Sequence, residues 1–331
     1  MQHAFRAFME QIIDYAGIFP PASLSLEASI HNYARYRTGP EAWMLGRFIC
    51  PAGRLDDLSS YGETLFAEAG EPFRFSVLIR PAFPPDPYRA AVKEDLQKIA
   101  AFVERHGDRV RVEALELKLP PKWPEILDGA DPGKFLDEVA EVIEQARIAP
   151  VQPFYELPPL KAGTGMIPRA VEIFAAHRQE VVAGSGSQYY RSPALKLRCG
   201  GVEPHLYPTS AQVAEVILSC RDAAVPLKAT AGLHHPVRHY NADAKVTMHG
   251  FFNVFGAAIL AAVHSLEAST VQEIIEDEHP KHFQFEANSF QWRGFSANTE
   301  QISRYRRELM LSFGSCSFEE PRDDLRALGL L

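Results

Sequence analysis

The chain has 331 residues, of which 46% are hydrophobic and 23% are charged, as is usual for a globular protein. Its formal net charge is −8 and its isoelectric point is near 5.9. This balance argues against nucleic acid or an anionic membrane as the general partner. It remains compatible with a local basic pocket that binds a small anionic molecule.

The sequence pattern carries no signal for export or membrane insertion. Residues 1–19 do not combine a basic start, an apolar core and a small-residue cleavage site. The longest apolar stretch, residues 251–263, is too short to span a bilayer and is interpreted as a buried helix. Neither disulfides nor a zinc ribbon is indicated by the scattered cysteines, which are Cys50, Cys199, Cys220 and Cys316. We therefore expect a protein of the reducing cytoplasm.

Short apolar runs alternate with amphipathic stretches along almost the whole chain, which predicts parallel strands connected by helices. The predicted strands are residues 12–19, 42–50, 74–80, 111–119, 150–156, 193–199, 225–231 and 282–288. The predicted helices are residues 24–37, 54–68, 86–106, 133–147, 166–178, 209–222, 250–265 and 299–311. Eight such units favour a (β/α)8 TIM barrel, an α/β fold, over an open doubly wound sheet. No GxGxxG motif follows the first strand, so a dinucleotide site has no support.

The predicted domain organisation is one catalytic barrel with a short addition at its C-terminal end. Residues 1–311 form the barrel, and residues 312–331 are predicted to be an extension that packs on it. Within the extension, the small polar residues 314–317 are interpreted as a lid over the barrel mouth. Nothing in the sequence supports Cys316 as a nucleophile.

Charged residues occupy one face of three predicted strands. Because side chains alternate along a strand, Lys196 and Arg198 share a face, as do Glu116 and Lys118, and Lys228 lies on the corresponding face of its own strand. The opposite faces are apolar and suit the surrounding helices, so these charges are predicted to face the barrel axis. The same position is predicted for Arg80, Glu156 and Glu286, and Asp14 either faces the site or serves a turn.

Active sites of such barrels lie at the carboxyl ends of the strands, where these charges are predicted. Buried charges are unfavourable unless they are paired or used in chemistry. A structural layer of ion pairs that closes the barrel is the alternative explanation. The position of the cluster favours a functional site.

Two inward lysines on adjacent strands have a specific chemical use. An ammonium neighbour and a desolvated wall both disfavour protonation of a lysine. The neutral amine of Lys196 or Lys228 would then attack a carbonyl group to form an imine. Glu116 is placed to move protons during that reaction.

At these residues the sequence resembles class I aldolases of the deoxyribose-phosphate aldolase type. Their strand-six motif Lys-Thr-Ser-Thr-Gly and strand-seven motif Lys-Ala-Ser-Gly-Gly are similar to residues 196–201 (KLRCGG) and 228–232 (KATAG) here. The resemblance covers about 40 residues and implies an imine at Lys196, a pKa-lowering role for Lys228 and a proton relay at Glu116. The chain departs from the motif at Arg198 and in the histidine-rich loop that follows residue 232.

That loop, GLHHPVRH at residues 232–239, places several histidines after a predicted barrel strand. His234 and His235 are candidates for general acid–base catalysis. With a glutamate, and with His249, they are also candidate ligands of a divalent metal, although no HExxH or HxH pattern is present. No cofactor is expected if the imine hypothesis holds, and a divalent metal is the alternative.

Several residues are candidates for binding an anionic substrate. Phosphate groups often bind such barrels near the last strands, at backbone amides or a helix start. The candidates, which include the arginines suited to a carboxylate or a phosphate, are Arg80, Lys118, Glu156, Arg198, Gly200, Gly201, Arg238, Glu286 and Asn288.

The leading functional hypothesis is a lyase or aldolase that acts on a small anionic carbonyl compound, an oxo-acid or a sugar phosphate, through a lysine imine. A metal-dependent lyase or hydrolase that uses the loop of His234 and His235 is the second. A barrel that binds an anionic ligand without converting it is the third. A homo-oligomer is expected on general grounds, since no sequence feature specifies an interface.

Overall fold

The computed structural model describes residues 2–82, 85–120, 132–160, 165–183, 187–201 and 203–331. Its strands are β1 Ile13–Tyr15, β2 Leu45–Pro51, β3 Phe73–Leu78, β4 Val110–Lys118, β5 Gln152–Glu156, β6 Ala194–Arg198, β7 Leu227–Thr230, β8 His239–Asn241, β9 Val246–Met248, β10 Phe283–Phe285, β11 Ser289–Trp292, β12 Phe295–Asn298 and β13 Met310–Ser315. Its α-helices are α1 His3–Met9, α2 Leu26–Arg37, α3 Pro85–His106, α4 Pro132–Ala146, α5 Met166–Ala183, α6 Ser210–Asp222, α7 Phe251–His264, α8 Ala268–Glu276, α9 Thr299–Glu308 and α10 Glu319–Ala327.

Eight parallel strands close into a barrel in the order β1-β13-β7-β6-β5-β4-β3-β2. The predicted (β/α)8 fold is therefore confirmed, and seven of its strands, β1 to β7, coincide with predicted strands. Sequential strands are neighbours in this order, as expected where each strand is followed by a crossover that packs outside the sheet.

The eighth barrel strand was predicted wrongly. Residues 282–288 contribute β10 to a separate antiparallel sheet, β10-β11-β12, whose phenylalanines pack against α1 and α7. The barrel is closed instead by β13, where Gly314 leaves room for Thr230 of the neighbouring β7 and for Ile49 of β2. Both segments alternate apolar residues, so local pattern does not distinguish a barrel strand from a hairpin.

The predicted boundary at residue 311 consequently cuts through a barrel strand. The segment 314–317 is the end of β13 and the turn after it, so the predicted lid is also wrong. The helix α10 comes after the barrel strands, buries Leu325 and pairs Arg326 with Glu41, a few residues before β2.

Most predicted helices are found, and their ends follow local rules. At the N-terminus of α6, Thr209 and Gln212 form a reciprocal capping box. Residues 54–68 form short 3-10 turns over Ala52–Arg54 and Asp56–Tyr61 instead of the predicted α-helix. Paired serines and nearby glycines give that segment little helix propensity.

The helix α7 is buried over nearly its whole length, as predicted for residues 251–263. In the part of the chain that the structure describes, no helix has the length and apolar character needed to cross a membrane.

Inside the barrel, inward side chains form layers. Ala114, Phe154 and Ala194 make a small apolar layer in the middle, separate from the large core between strands and helices. Two residues further along the same strands lie Glu116, Glu156 and Lys196, of which Glu156 and Lys196 are register partners. The alternation predicted from the sequence therefore directs the charged side chains to the barrel axis, next to the apolar layer.

Candidate active site at the carboxyl ends of the strands

The charged layer is a continuous chain of ion pairs across the barrel, which we call the ion chain. Lys228 Nζ lies 2.6 Å from Asp14 Oδ2 and 2.7 Å from Glu116 Oε1. Lys196 Nζ lies 2.6 Å from Glu116 Oε2 and 2.7 Å from Glu156 Oε2. Arg198 extends the chain, since its guanidinium lies 3.1 Å from Glu156 Oε1. The members of the ion chain in order are Asp14, Lys228, Glu116, Lys196, Glu156 and Arg198.

The two lysines are neighbours in the sheet, as predicted, but a carboxylate lies between their ammonium groups. Lys196 and Lys228 are register partners on β6 and β7. Glu116 lies between them and gives one carboxylate oxygen to each. The expected repulsion between two ammonium groups is thus compensated by a shared carboxylate.

The charged state of Lys196 is favoured for the same reason. Burial alone lowers its pKa, but attraction to Glu116 and Glu156 and hydrogen bonds with both outweigh burial and raise the pKa above its ordinary value. The prediction that its neighbours would favour a neutral amine is therefore wrong for the resting site. Lys196 is an ammonium ion at neutral pH.

The carboxylates respond in the opposite direction. Burial raises the pKa of Glu116, but Lys196 and Lys228 lower it by more, so the net pKa lies well below the ordinary value. The pKa values of Glu156 and Asp14 are lowered against burial in the same way by their cationic neighbours. All three carboxyl groups are therefore ionised at neutral pH.

Two hydroxyl groups that were not predicted from the sequence complete the site. Ser76 Oγ donates to Glu116 at 2.6 Å, and Ser312 Oγ donates to Asp14 at 2.8 Å. Both serines are buried among apolar strand residues. The inward strand position of each serine was the available sequence signal. Serine is too common in strands for that signal to identify a site residue by itself.

A pocket of about 610 Å³ opens beside the end of the ion chain, at the carboxyl ends of β4, β5 and β6. Glu156, Arg198 and Lys118 contribute charge to its lining. The described residues that line it, mostly leucines and prolines, are Lys118, Leu119, Glu156, Leu157, Pro158, Pro159, Leu160, Leu197, Arg198, His205, Leu206, Tyr207, Pro208, Thr209 and Gln212. Charged groups at an otherwise apolar cavity are typical of a site for a small charged molecule.

The glycines after β6 are explained by packing. A Cβ on Gly200 would lie 2.8 Å from the Cα of Gly232, and a Cβ on Gly201 would lie 2.4 Å from the side chain of Leu206. Gly232 also has φ +72, a conformation that side chains disfavour. These glycines let two loops meet at the barrel mouth, and their predicted role in binding phosphate has no geometric support.

The histidine loop turns away from the lysines and towards α10. His234 Nδ1 lies 3.0 Å from Glu320, and His235 Nδ1 lies 2.6 Å from Asp324. The predicted catalytic role beside Lys196 is not supported for either histidine, because adjacent residues in this loop each pair with a separate carboxylate on the helix.

The histidines and glutamates proposed as metal ligands are likewise not brought together. Within the described ranges, no group of three or more histidine, cysteine, aspartate or glutamate side chains is arranged to hold a metal ion. His249 instead contacts the carbonyl oxygen of Pro208 at 2.8 Å and Arg238 at 3.5 Å.

Besides the two glycines, four predicted binding residues lie outside both the ion chain and the pocket. Arg80 turns outward to pair with Glu94 on α3. Glu286 and Asn288 are exposed in the turn between β10 and β11, a consequence of the misassigned eighth strand. Arg238 lies near the start of α6, where it donates to Ser210 and lies 3.5 Å from Glu278.

Comparison with known proteins adds no argument about function. No family model matches the chain, and no curated protein matches it. Among solved structures, it is similar to an apo crystal structure of 3-keto-D-glucoside 4-epimerase from E. coli, with a TM-score of 0.41 and 10% sequence identity, over 80% of this chain and 97% of that chain. A similarity at this level says nothing about the reaction or the substrate.

Proposed function

We propose that this barrel is an enzyme that acts on a small anionic carbonyl compound, with Lys196 as the reacting group. One observation carries the proposal. Glu156 lines a pocket at the carboxyl ends of the barrel strands, where active sites of this fold lie, and its carboxylate lies 2.7 Å from the ammonium group of the buried Lys196.

The preference for an anion is supported by the charges at the pocket. Arg198 and Lys118 are the last residues of β6 and β4, and both line the pocket. Arginine binds a carboxylate or a phosphate through two parallel hydrogen bonds. An oxo-acid or a sugar phosphate therefore suits the pocket.

An imine requires Lys196 to lose its proton first. A substrate anion on Arg198 would compete with Glu156 for the guanidinium and would bring negative charge near that carboxylate. Both effects raise the proton affinity of Glu156, which can then take the proton from Lys196 across 2.7 Å. The neutral amine attacks the carbonyl carbon, a C–N bond forms, and the oxygen leaves as water to give the imine.

Trapping with borohydride tests this step directly. The protein is incubated with a panel of oxo-acids and sugar phosphates, reduced, and mapped by peptide mass spectrometry. We expect a mass increment on Lys196, none in the charge-preserving variant Lys196→Arg, and little change in Lys118→Ala apart from weaker binding. The imine proposal fails if a substrate is turned over by the wild type and no increment appears on Lys196 or Lys228.

A second candidate is favoured by the raised pKa of Lys196. As an ammonium ion the lysine would donate a proton to a carbonyl oxygen without forming an imine, while a carboxylate removes a proton from the neighbouring carbon. Isomerases and some lyases use such chemistry. Exchange of substrate carbon-bound hydrogen with deuterated water, without borohydride trapping, would identify this route.

The variant Lys196→Arg also distinguishes an enzyme from a barrel that only binds its ligand. If an anion binds to the wild type and to Lys196→Arg with similar affinity, and neither turnover nor exchange is detected in the wild type, the enzymatic proposal is wrong.

A further inference from the structure

A thiol, an imidazole and a carboxylate contact one another in sequence at the barrel mouth, outside the pocket. Cys316 directly follows β13, His234 lies in the loop after β7, and Glu320 is in the first turn of α10. Cys316 Sγ lies 4.0 Å from His234 Nε2, and His234 Nδ1 lies 3.0 Å from Glu320 Oε2. None of the three lines the pocket or belongs to the ion chain.

This arrangement provides the parts that activate a thiol. The carboxylate of Glu320 accepts the Nδ1 proton of His234, which fixes the tautomer and leaves Nε2 free to take the proton of the thiol. Burial lowers the pKa of His234, but its contacts with Cys316 and Glu320 outweigh burial and raise that pKa to about 9. The imidazolium ion is therefore favoured once the proton has moved.

The other three cysteines provide an internal contrast. Burial raises the pKa of Cys50 and Cys199 to about 12, and it raises the pKa of Cys220 as well. The sulfurs of Cys50 and Cys199 lie near backbone carbonyl oxygens, which disfavour a thiolate. Their surroundings are those of inert core thiols.

Other charged groups near the centre are accounted for. Tyr15 on β1 lies near both Cys316 and Glu319, whose charges act on its hydroxyl group, and Glu319 is itself paired with Arg35 at 2.9 Å. His235 influences Glu320 from the same loop, but its own partner is Asp324 at 2.6 Å. His234 is thus the base that contacts the thiol, at 4.0 Å.

We propose that Cys316 is a nucleophilic centre, activated by His234 and oriented through Glu320, that reacts with small electrophiles such as peroxides. The thiol proton passes to His234 Nε2, and the thiolate attacks one peroxide oxygen. An S–O bond forms and the O–O bond breaks. The departing hydroxide takes the imidazolium proton and leaves as water, so that sulfur is oxidised to sulfenic acid and the peroxide is reduced. Because none of these groups belongs to the ion chain, the centre is independent of the proposed function.

Site-resolved labelling tests this proposal in the full-length protein. Native protein is treated with limiting iodoacetamide between pH 6 and pH 9, and in parallel with hydrogen peroxide followed by a sulfenic-acid probe. Each cysteine is quantified by peptide mass spectrometry. We expect Cys316 to react at least about tenfold faster at pH 7 than Cys50, Cys199 or Cys220, since thiolate is only a small fraction of an ordinary thiol at that pH.

Matched variants separate activation from mere accessibility. His234→Gln and Glu320→Gln are expected to slow the reaction of Cys316 at pH 7 by about tenfold and to shift its pH profile upwards. Asp324→Asn removes the carboxylate that pairs with His235, on the same helix as Glu320. This variant is expected to change the rate at which Cys316 reacts by less than about twofold.

Circular dichroism establishes that each variant is folded. If His234→Gln does not fold, Glu320→Gln decides the question. The proposal is overturned if Cys316 reacts no faster than Cys199, or if its rate and pH profile are the same in the wild type and in the folded glutamine variants.

Discussion

Two charged layers lie inside the barrel, one near the starts of the strands and one near their ends. At the starts, Glu113 is paired with Arg47 and Arg74 at 3.0 Å each, and these side chains remain 20–24% exposed. At the ends, Lys196 and Lys228 are at most 5% exposed and are held by carboxylates at 2.6–2.7 Å. The first layer is built on arginines, whereas the second is built on two lysines with Arg198 at its end.

The difference indicates where chemistry can occur. Arginine keeps its charge at any pH that a folded protein experiences, so a layer of arginines and carboxylates holds the strands together without changing state. A lysine exchanges its proton readily when its partners change. The lysine layer also adjoins the pocket through Glu156 and Arg198, and it is therefore the layer whose protonation a ligand can alter.

The largest expected difference between the layers is in stability. Replacing Lys228 by Met leaves one oxygen of Glu116 buried without a cation and leaves Asp14 only the more distant Arg47, at 3.6 Å. We expect the free energy of unfolding to fall by about 3–5 kcal/mol. Arg74→Met leaves Glu113 with Arg47 and with access to water, so a loss of about 1 kcal/mol or less is expected. Urea unfolding followed by circular dichroism measures both, and equal losses would contradict the distinction between the layers.

Acid should weaken the lysine layer. Burial raises the pKa values of Asp14, Glu116 and Glu156, but the neighbouring cations lower them by more. These pKa values are therefore lower in the folded protein than in the unfolded chain. Their contribution to stability is thus fully present above about pH 5 and is lost as pH falls below about 4 towards the folded pKa values. Urea midpoints between pH 3 and pH 7 should decline steeply at the acid end. The slope should be smaller in Glu116→Gln, and an unchanged slope would count against this explanation.

A smaller effect is expected from the buried hydroxyl groups. Ser76→Ala removes a 2.6 Å hydrogen bond to the ionised Glu116, which should lower the free energy of unfolding by about 1.5–3 kcal/mol. The matched control is Ser289→Ala, which removes a 3.3 Å hydrogen bond to Glu286 at the surface and should change stability by less than about 0.5 kcal/mol. If both changes have the same effect on stability, the ion chain is not stabilised by the hydroxyl groups.

The smallest expected effect concerns the attachment of α10, outside both layers. The pKa of His234 is raised from 6.5 to about 9 in the folded protein, so its stabilising contribution is present below pH 6.5 and is lost as pH rises through 9. Because Glu320 is half exposed, we expect only about 1 kcal/mol between wild type and His234→Gln at pH 6.5. That difference should disappear at pH 10, and a difference that is constant with pH would argue against an ionic attachment.

Much of the barrel followed from local pattern. Period-two alternation directed Glu116, Lys196 and Lys228 to the axis, because side chains on a strand can only point to one of two faces. The capping box of α6 has the same local character, since Thr209 and Gln212 satisfy each other within four residues. In each case the interaction that fixes the structure is local.

The electrostatic state of the site was not readable in this way. It depends on Glu116 lying between two lysines and on Asp14, which is 214 residues from Lys228 in the sequence. From the sequence the lysines were expected to repel each other, and the carboxylates from other strands reversed the effect on the pKa of Lys196. Only the closure of the barrel brings those strands together.

By itself, the amino-acid sequence determined the repeated strand–helix pattern and the inward face of each strand, because both depend on residues a few positions apart. The tertiary structure alone decided which segment closes the barrel, that Lys196 and Lys228 share a carboxylate, and that His234 faces Cys316 and α10 instead of the lysines. Those contacts join residues distant in sequence, and their energies depend on burial and distance, which exist only once the chain has folded.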